Sequence, residues 1–383
     1  MESSNCRLSS STQSRSRSLE SILFLLAVVG ATAAAAQEPT PKFQLNGYLT
    51  QAYGITDGVP ILGLDEDGTF DYRSAALLFR FGFSANDDLV VQLSHEKLGS
   101  SPVNALREEV ELDWAFYRHR FSSGTELRVG RIPIPFGVYN EIRDVGTFLE
   151  FYRPPVGIYF EGAFSSETVD GVDVSHSFSF GKGWTLDLDG YWGSWDRAEF
   201  IAPDFVDGRA EDAFGVQLWL NTPQSTLRFG FAAQRFEQTG GIVFLREDGS
   251  EIFDTFLFSI DTDFPRLILR AEAQVIKTAF VFAPDVEIPA YYVLAGYRIN
   301  DHLAFHLIYE DSWSKASGGP FPPLKIDPFY EDLAASMIYR FTPQTLVRLE
   351  LHHSETTQAD IPLPLSGEPY KVDYGILSFS ASF

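Results

Sequence analysis

Histidine is the residue type through which this chain could most readily catalyse a reaction or hold a metal, and its spacing favours neither. There are seven histidines, and His302, His306, His352 and His353 stand in stretches where apolar and polar residues alternate. Adjacent residues of a strand point to opposite faces, so His352 and His353 cannot grip one metal ion together. No serine beside them forms a recognisable nucleophile motif. The only cysteine, Cys6, lies in the N-terminal segment that we predict to be cleaved off. The mature chain would then have no cysteine, which excludes a thiolate metal site. We predict no enzymatic activity, no cofactor and no metal.

Charged side chains within the longest connection, residues 134–167, could instead act on passing ions. The polar residues interrupt a series of apolar ones, and they are Asn140, Glu141, Arg143, Asp144, Glu150 and Arg153. Four prolines, Pro133, Pro135, Pro154 and Pro155, disfavour strand pairing in this region. Charges in a narrow passage act at short range and select ions. The alternative is that Arg143, Arg153 and Asp144 form an internal salt-bridge network that only fixes the segment.

Alternating stretches elsewhere predict strands that have one apolar face and one charged face. In 344–355, leucines and valine alternate with Arg348, Glu350 and His352; 108–121 and 265–277 follow the same period. A charged inner face is inexpensive only if it lines water, so the apolar face should meet lipid. The predicted pore-wall residues are Arg80, Arg128, Arg228, Arg266, Arg270, Arg348, Glu109, Glu111 and Asp113. The alternatives are a soluble sheet with one solvated face and, for each charge, a position far from any constriction.

The number of such stretches and the lengths of their connections predict the fold class. About sixteen strands recur between residues 43 and 383. The connections alternate between short turns and long loops, residues 194–209 among the long ones, as in a barrel whose two chain ends lie on the same side. We therefore predict an all-β, transmembrane, antiparallel, up-and-down β-barrel over residues 37–383. About sixteen strands enclose a lumen too wide for side chains to fill, so an aqueous channel is expected.

The two ends of the chain carry sorting signals. Residues 1–36 combine a basic start, an apolar run and Ala34-Ala35-Ala36, which is typical of a cleaved signal peptide; a single anchor helix is the alternative. The final stretch alternates apolar and serine residues and ends on Phe383. It resembles the C-terminal strand of bacterial outer-membrane barrels, whose last aromatic residue helps the barrel-assembly machinery to recognise them. The first predicted strand begins soon after the signal, which leaves no room for the plug of an active importer.

Composition limits the classes of molecule that the chain is expected to bind. The formal net charge is −23, which opposes binding to nucleic acid. The chain contains 34 phenylalanines, and strand-end aromatics such as Trp192, Tyr297 and Phe341 suit interfacial girdles next to outer-membrane lipid and lipopolysaccharide.

The order of the elements resembles that of the sixteen-stranded porins of Gram-negative bacteria. The long connection is the third external one, like the porin loop that folds into the barrel, and 134–167 is therefore predicted to be an inward-folded constriction loop. Val129-Gly130-Arg131, Pro135-Phe136-Gly137 and Arg143-Asp144-Val145 are similar to this region of porin-superfamily proteins. The resemblance implies a homotrimer and passive diffusion of small hydrophilic solutes and ions. A channel selective for phosphate, carboxylates or sugars is the alternative, and an outer-membrane barrel enzyme a weaker one.

Overall fold

Sixteen antiparallel strands make up almost the whole described chain. The structure, a computed structural model, describes residues 42–105, 109–159, 167–201, 204–224, 226–240, 250–279, 285–318, 322–357 and 369–383. The strands are β1 (Lys42–Thr56), β2 (Thr69–Gly82), β3 (Asp87–Leu98), β4 (Glu111–Arg120), β5 (Glu126–Pro133), β6 (Thr168–Phe180), β7 (Trp184–Ile201), β8 (Asp204–Asn221), β9 (Leu227–Gly240), β10 (Ser250–Asp263), β11 (Leu267–Ala279), β12 (Asp285–Arg298), β13 (Leu303–Ser317), β14 (Leu324–Thr342), β15 (Thr345–Thr356) and β16 (Tyr370–Ser382). The predicted signal peptide, residues 1–36, lies outside the described residues.

The strands close into a barrel in sequence order. Each strand pairs antiparallel with its neighbours along the chain, and β16 returns to pair with β1. The last residue takes part in this closure, because Phe383 N donates to Gly47 O (3.0 Å) and Gly47 N donates to Phe383 O (3.1 Å). Closure satisfies the strand edges that an open sheet would leave unpaired. The predicted fold class, an up-and-down barrel of sixteen strands, is confirmed.

The two faces of the wall differ in the way that the alternation predicts. On β15, Leu349 and Leu351 are 41% and 63% exposed, whereas Arg348 and Glu350, which alternate with them, are at most 1% exposed. β11 repeats the pattern, because exposed Ala273 lies between buried Glu272 and buried Gln274. We call the two sides the exposed apolar face and the buried face.

β4 departs from the predicted alternation. A β-bulge places Gln92 opposite Trp114 and Leu93 opposite Leu112, so that Asp113 is the extra residue. One extra residue reverses which side chains share a face. Phe116, predicted to lie on the lipid side with Leu112, therefore lies on the buried face at 5% exposure, whereas Leu112 is exposed. The prediction was wrong for the half of β4 that follows the bulge.

The connection between β7 and β8 also differs from the prediction. Residues 194–209 were expected to form a long loop, but β7 continues to Ile201 and β8 begins at Asp204. The stretch pairs in regular register beyond a bulge near Trp195, for instance Arg209 opposite Asp196. This end of the hairpin is rich in polar residues and has no continuous apolar face, so the alternation of apolar residues did not indicate a strand there.

Helices are few and short. A 3₁₀ turn spans Pro102–Ala105 and another spans Asn140–Ile142, and the α-helix Val156–Tyr159 is named α1. Within the described ranges, no helix has the length and apolarity that crossing a membrane would require.

Candidate functional site

The described part of the connection between β5 and β6, residues 134–159, is a folded segment that packs on the wall. Its apolar side chains Ile134, Phe136 and Leu149 are buried in one cluster with wall residues such as Leu257 and Tyr292. We call residues 134–159 the docked segment. Its polar contacts with the wall define the candidate site.

Glu272 of β11 holds both ends of the docked segment. Its carboxylate accepts the main-chain N–H of Val138 (3.0 Å) and the hydroxyl of Tyr159 (2.5 Å). The wall residues Tyr292 (2.9 Å) and Ser259 (2.5 Å) donate to the same carboxylate. Glu272 is 2% exposed, and hydrogen bonds to a buried charged group are stronger than those between neutral groups.

Gly137 allows this close approach. Its φ of +64° is a conformation that side chains disfavour, and a Cβ there would lie 2.1 Å from Tyr159 Oη and 2.8 Å from Glu272 Oε1. Any larger residue would therefore push the docked segment away from β11.

Arg348 and Glu350 of β15 hold the middle of the docked segment. Arg348 donates through Nη1 to the carbonyls of Leu149 (2.7 Å) and Gly146 (3.2 Å). Its Nε lies 2.9 Å from Glu350 Oε1, and the same oxygen accepts the main-chain N–H of Tyr152 (2.7 Å). Both wall side chains are at most 1% exposed, so each charge depends on the other and on the backbone of the segment.

A third carboxylate completes the pattern. Glu310 of β13 accepts the main-chain N–H of Gly157 at the start of α1 (2.9 Å). Glu272, Glu310 and Glu350, from three strands, thus each accept a main-chain amide of the docked segment. A backbone N–H buried without an acceptor is costly, so these carboxylates replace the strand pairing that the prolines prevent.

Arg143 is buried among groups of its own connection. The arginine is 4% exposed and donates through Nη2 to the Tyr159 carbonyl (2.7 Å) and through Nη1 to Asn140 Oδ1 (3.4 Å). Its Nε lies 3.4 Å from Glu167. The guanidinium thus binds carbonyl, amide and carboxylate oxygens that belong to the same connection.

Arg153 and Glu150 also bind protein groups. Arg153 donates to Tyr72 Oη (2.9 Å) on β2 and to the carbonyl of Leu62 (3.4 Å). Glu150, 6% exposed, accepts Arg270 Nη1 (2.7 Å) and Tyr139 Oη (2.9 Å).

Asn140, Glu141 and Asp144 complete the predicted set. Asn140 is buried and donates to the Ile134 carbonyl (2.9 Å). The Glu141 side chain is 47% exposed and pairs with Arg128 (3.3 Å). Asp144 is half-buried, and burial, with Glu167 and Glu96 nearby, raises the pKa of its carboxyl well above its ordinary range. Among the six predicted residues, Glu141 therefore has the best-exposed charge.

The predicted wall arginines mostly form ion pairs. Arg128 binds Asp173 (2.7 Å) and lies 3.6 Å from Asp189. Arg228 pairs with Asp261 (2.8 Å), and its guanidinium lies 4.1 Å from the centre of the Trp219 ring. Further pairs join Arg270 to Asp261 and Arg80 to Asp88. Arg348 has the buried contacts described above.

The four other predicted wall residues lie outside the strands, at a strand end or in the bulge. Arg266 is exposed in the turn between β10 and β11, one residue before the strand begins. Glu109 is exposed before β4, where its carbonyl accepts His95 Nδ1 (2.6 Å). Glu111 is the first residue of β4, and Asp113 in the bulge accepts Gln92 Nε2 (2.6 Å).

Sequence reasoning named Arg80 as a wall residue but missed the arginine cluster to which it belongs, at the short-turn ends of β2 to β5. It consists of Arg80, Arg118 and Arg120 around Asp88, with Glu126 beside them. After the bulge is taken into account, these residues obey the period of two, so correct phasing of β4 would have found Arg118 and Arg120.

The candidate metal and catalytic residues do not assemble into a metal site. Both ring nitrogens of His352 face carboxylates, Asp332 at 2.8 Å and Glu350 at 3.2 Å. Across the described ranges, no cluster of three or more His, Cys, Asp or Glu side chains is arranged to hold a metal ion.

Comparison with known proteins finds likeness in fold and not in sequence. The outer-membrane channel DcaP of Acinetobacter baumannii superposes with a TM-score of 0.60 and 12% identity, over 92% of this chain and 100% of that chain. OmpT, expressed in the outer membrane of Vibrio cholerae, gives 0.60 and 9%, over 91% and 100%. The anion-selective porin from Comamonas acidovorans gives 0.55 and 12%, over 90% and 100%. No protein-family model and no curated protein matches the sequence. The chain therefore has the fold of the sixteen-stranded outer-membrane porins.

Proposed function

We propose that this protein is a porin of the outer membrane, through which small hydrophilic solutes and ions diffuse passively. A closed barrel with an exposed apolar face suits a bilayer, and a barrel of this size leaves space inside. The short turns would face the periplasm and the long loops the exterior.

The observation that carries this proposal is the reach of the docked segment. The segment leaves the wall after β5, yet its anchors lie on β11, β13 and β15, and β13 is eight strands from β5 in the closed order. Thr147 Oγ1 also donates to Ser382 Oγ (3.1 Å) at the end of β16. A segment that reaches so far around the buried face would cross the lumen and narrow it, which is what a diffusion channel needs for selection by size.

A substrate-selective channel is the second candidate. Polar wall side chains on strands that carry none of the described anchors, such as Gln217 of β8 and Gln234 and Gln238 of β9, are 7% exposed or less. Such burial favours a narrow passage over a wide one, and a narrow passage would distinguish solutes by their chemistry.

Export and assembly form part of the same proposal. We propose cleavage of residues 1–36, recognition of β16 and Phe383 by the barrel-assembly machinery, and insertion among outer-membrane lipid and lipopolysaccharide. We also propose a homotrimer; OmpT of Vibrio cholerae, which has this fold, has been solved in a trimer form.

Conductance measurements test the channel proposal. In a planar bilayer the purified protein should give discrete ion-conducting steps. Replacing residues 135–159 by a short Gly-Ser linker should increase the conductance of each step several-fold, because the chain that reaches the anchors on β11, β13 and β15 is removed. An equally long Gly-Ser replacement in the external connection between β15 and β16 is the control. Absence of steps with folded protein would contradict the channel, and equal step sizes would contradict the narrowing.

Ion selectivity should depend on Glu141 and hardly on Arg143. Glu141→Gln removes an exposed negative charge beside Arg128 and should shift the reversal potential in a KCl gradient towards anion preference. Arg143→Gln removes a buried charge that binds the Tyr159 carbonyl, so it should leave the reversal potential within the wild-type scatter. The opposite ranking of the two variants would show that Arg143, and not Glu141, faces the passage.

A further inference from the structure

We propose that the arginine cluster at the short-turn ends of β2 to β5 is a binding site for an oxyanion, of the phosphate or carboxylate type, on solutes that pass through the barrel. The proposal rests on the proposed channel function and names a class of solute and a place in the passage. The site is distinct from the anchors of the docked segment on β11, β13 and β15.

The geometry of the cluster is centred on Asp88. Its carboxylate is 3% exposed and receives Arg80 Nη2 at 2.7 Å, Arg118 Nε at 2.9 Å and Arg120 Nη1 at 3.3 Å. Three guanidinium groups from β2 and β4 thus converge on one buried carboxylate of β3. Because Asp88 fixes their positions, an incoming anion would not have to order three long side chains.

Charge balance leaves the cluster positive. Glu126 is the second carboxylate, at 3.1 Å from Arg120 Nε and 3.8 Å from Arg118 Nη1. Three arginines therefore face two carboxylates. A further negative group would balance the charge, and guanidinium edges match the paired oxygens of phosphate and carboxylate.

The arginines are accessible. The side chains of Arg80 and Arg120 are each 36% exposed and that of Arg118 is 18% exposed, although the carboxylate between them is buried. All three stand on the buried face within three residues of a short turn. A solute at this end of the barrel would meet guanidinium groups, in contrast to the negative charge of the chain as a whole.

The first experiment measures block of the ion current. Single channels are recorded in KCl at constant ionic strength while inorganic phosphate or acetate replaces part of the chloride on one side. Wild-type channels should show added current fluctuations, larger when the anion enters from the short-turn side. The double variant Arg80→Gln/Arg120→Gln should bind phosphate at least about tenfold more weakly, because two charge-assisted donors are lost. Asp88→Asn keeps a side-chain oxygen that can position the arginines but removes the competing negative charge, so this variant should bind phosphate more tightly.

The matched control is Arg235→Gln. Arg235 binds Asp254 with two hydrogen bonds (2.6 and 2.7 Å) on the exposed apolar face of β9, so it repeats the arginine–aspartate chemistry outside the passage. It should leave phosphate block unchanged. Equal block in the double variant and in Arg235→Gln would overturn the proposal, as would wild-type channels that are indifferent to both anions.

A second measurement is independent of conduction. Phosphate binding to the folded barrel in detergent is followed by ³¹P line broadening, with heat-modifiable migration on gels as the check that each variant is folded. Binding that depends on Arg80 and Arg120 without ion-conducting steps would support the site and contradict the channel. Steps without such binding would support the channel and overturn the site.

Discussion

Replacing Arg348 by methionine is expected to release the middle of the docked segment from β15 and to increase the single-channel conductance several-fold. Methionine fills much of the same volume, but it cannot donate to the carbonyls of Gly146 and Leu149. It also leaves the buried carboxylate of Glu350 without its arginine. Removing one partner of a buried ion pair typically costs about 3–5 kcal/mol. The bonds that remain at this point join Thr147 to Ser382 and Arg340, and Glu150 to Ser336 and Arg270. We expect the loss at Arg348 to outweigh them.

The control for Arg348 is Arg298→Met. Arg298 lies on the buried face of β12 and binds Asp263 and the carbonyl of Phe264 at the short-turn end. It is therefore an arginine on the same face of the barrel that binds a turn instead of the docked segment. Its loss should change conductance little. Limited proteolysis in liposomes should cut the docked segment in Arg348→Met and spare it in the control. Wild-type conductance together with wild-type resistance in Arg348→Met would show that the arginine does not anchor the segment.

The barrel could be predicted from sequence because its physics is local. A wall between lipid and a polar interior imposes a period of two, and this period is visible in each strand without knowledge of its neighbours. In 344–355 the pattern placed Arg348 and Glu350 on one face and Leu349 and Leu351 on the other, and the structure places them so. The bulge at Asp113 escaped prediction because it depends on the register with β3.

The orientation of the loop charges could not be predicted in the same way. An irregular segment has no period, so nothing in the order of residues 140–153 tells which side chains turn inward. Arg143 and Glu141 are two residues apart, yet the first binds the Tyr159 carbonyl and the second is exposed beside Arg128. Contacts of this kind join parts of the chain that only the folded structure brings together.

The sequence pattern placed the anchoring glutamates on the inner face of the barrel, but it did not show that they bind the docked segment. Glu272 and Glu350 both follow the strand period, and a carboxylate on an inner face suggests contact with water or ions. The structure instead shows them accepting main-chain amides. A segment rich in proline cannot satisfy its amides by pairing with strands, so it needs acceptors from the wall. That need is a signal that a sequence argument can use: inner-face carboxylates opposite a proline-rich loop are candidate anchors.

Replacing Glu272 by glutamine should loosen both ends of the docked segment at once. Glutamine has the same shape as glutamate, but it is uncharged. One of the two carboxylate oxygens that accept hydrogen bonds is replaced by an NH₂ group, which can only donate. Val138 N and the hydroxyls of Tyr159 and Tyr292 then lose charge-assisted bonds, a loss of about 2–4 kcal/mol. The undocked population should rise by about 30- to 1000-fold, since each 1.4 kcal/mol is a factor of ten. Protease cleavage between β5 and β6 should accelerate accordingly.

The control for Glu272 is Glu331→Gln, because Glu331 also accepts a tyrosine hydroxyl, that of Tyr309 (2.8 Å), but does so on β14 away from the docked segment. It should leave cleavage unchanged. Combining Glu272→Gln with Arg348→Met then asks whether the segment docks as one unit. If it does, the double variant should conduct little more than the more open single variant, because a segment that is already undocked has no further contacts to lose. Conductance increments that simply add would instead mean that β11 and β15 hold two parts of the segment that open separately.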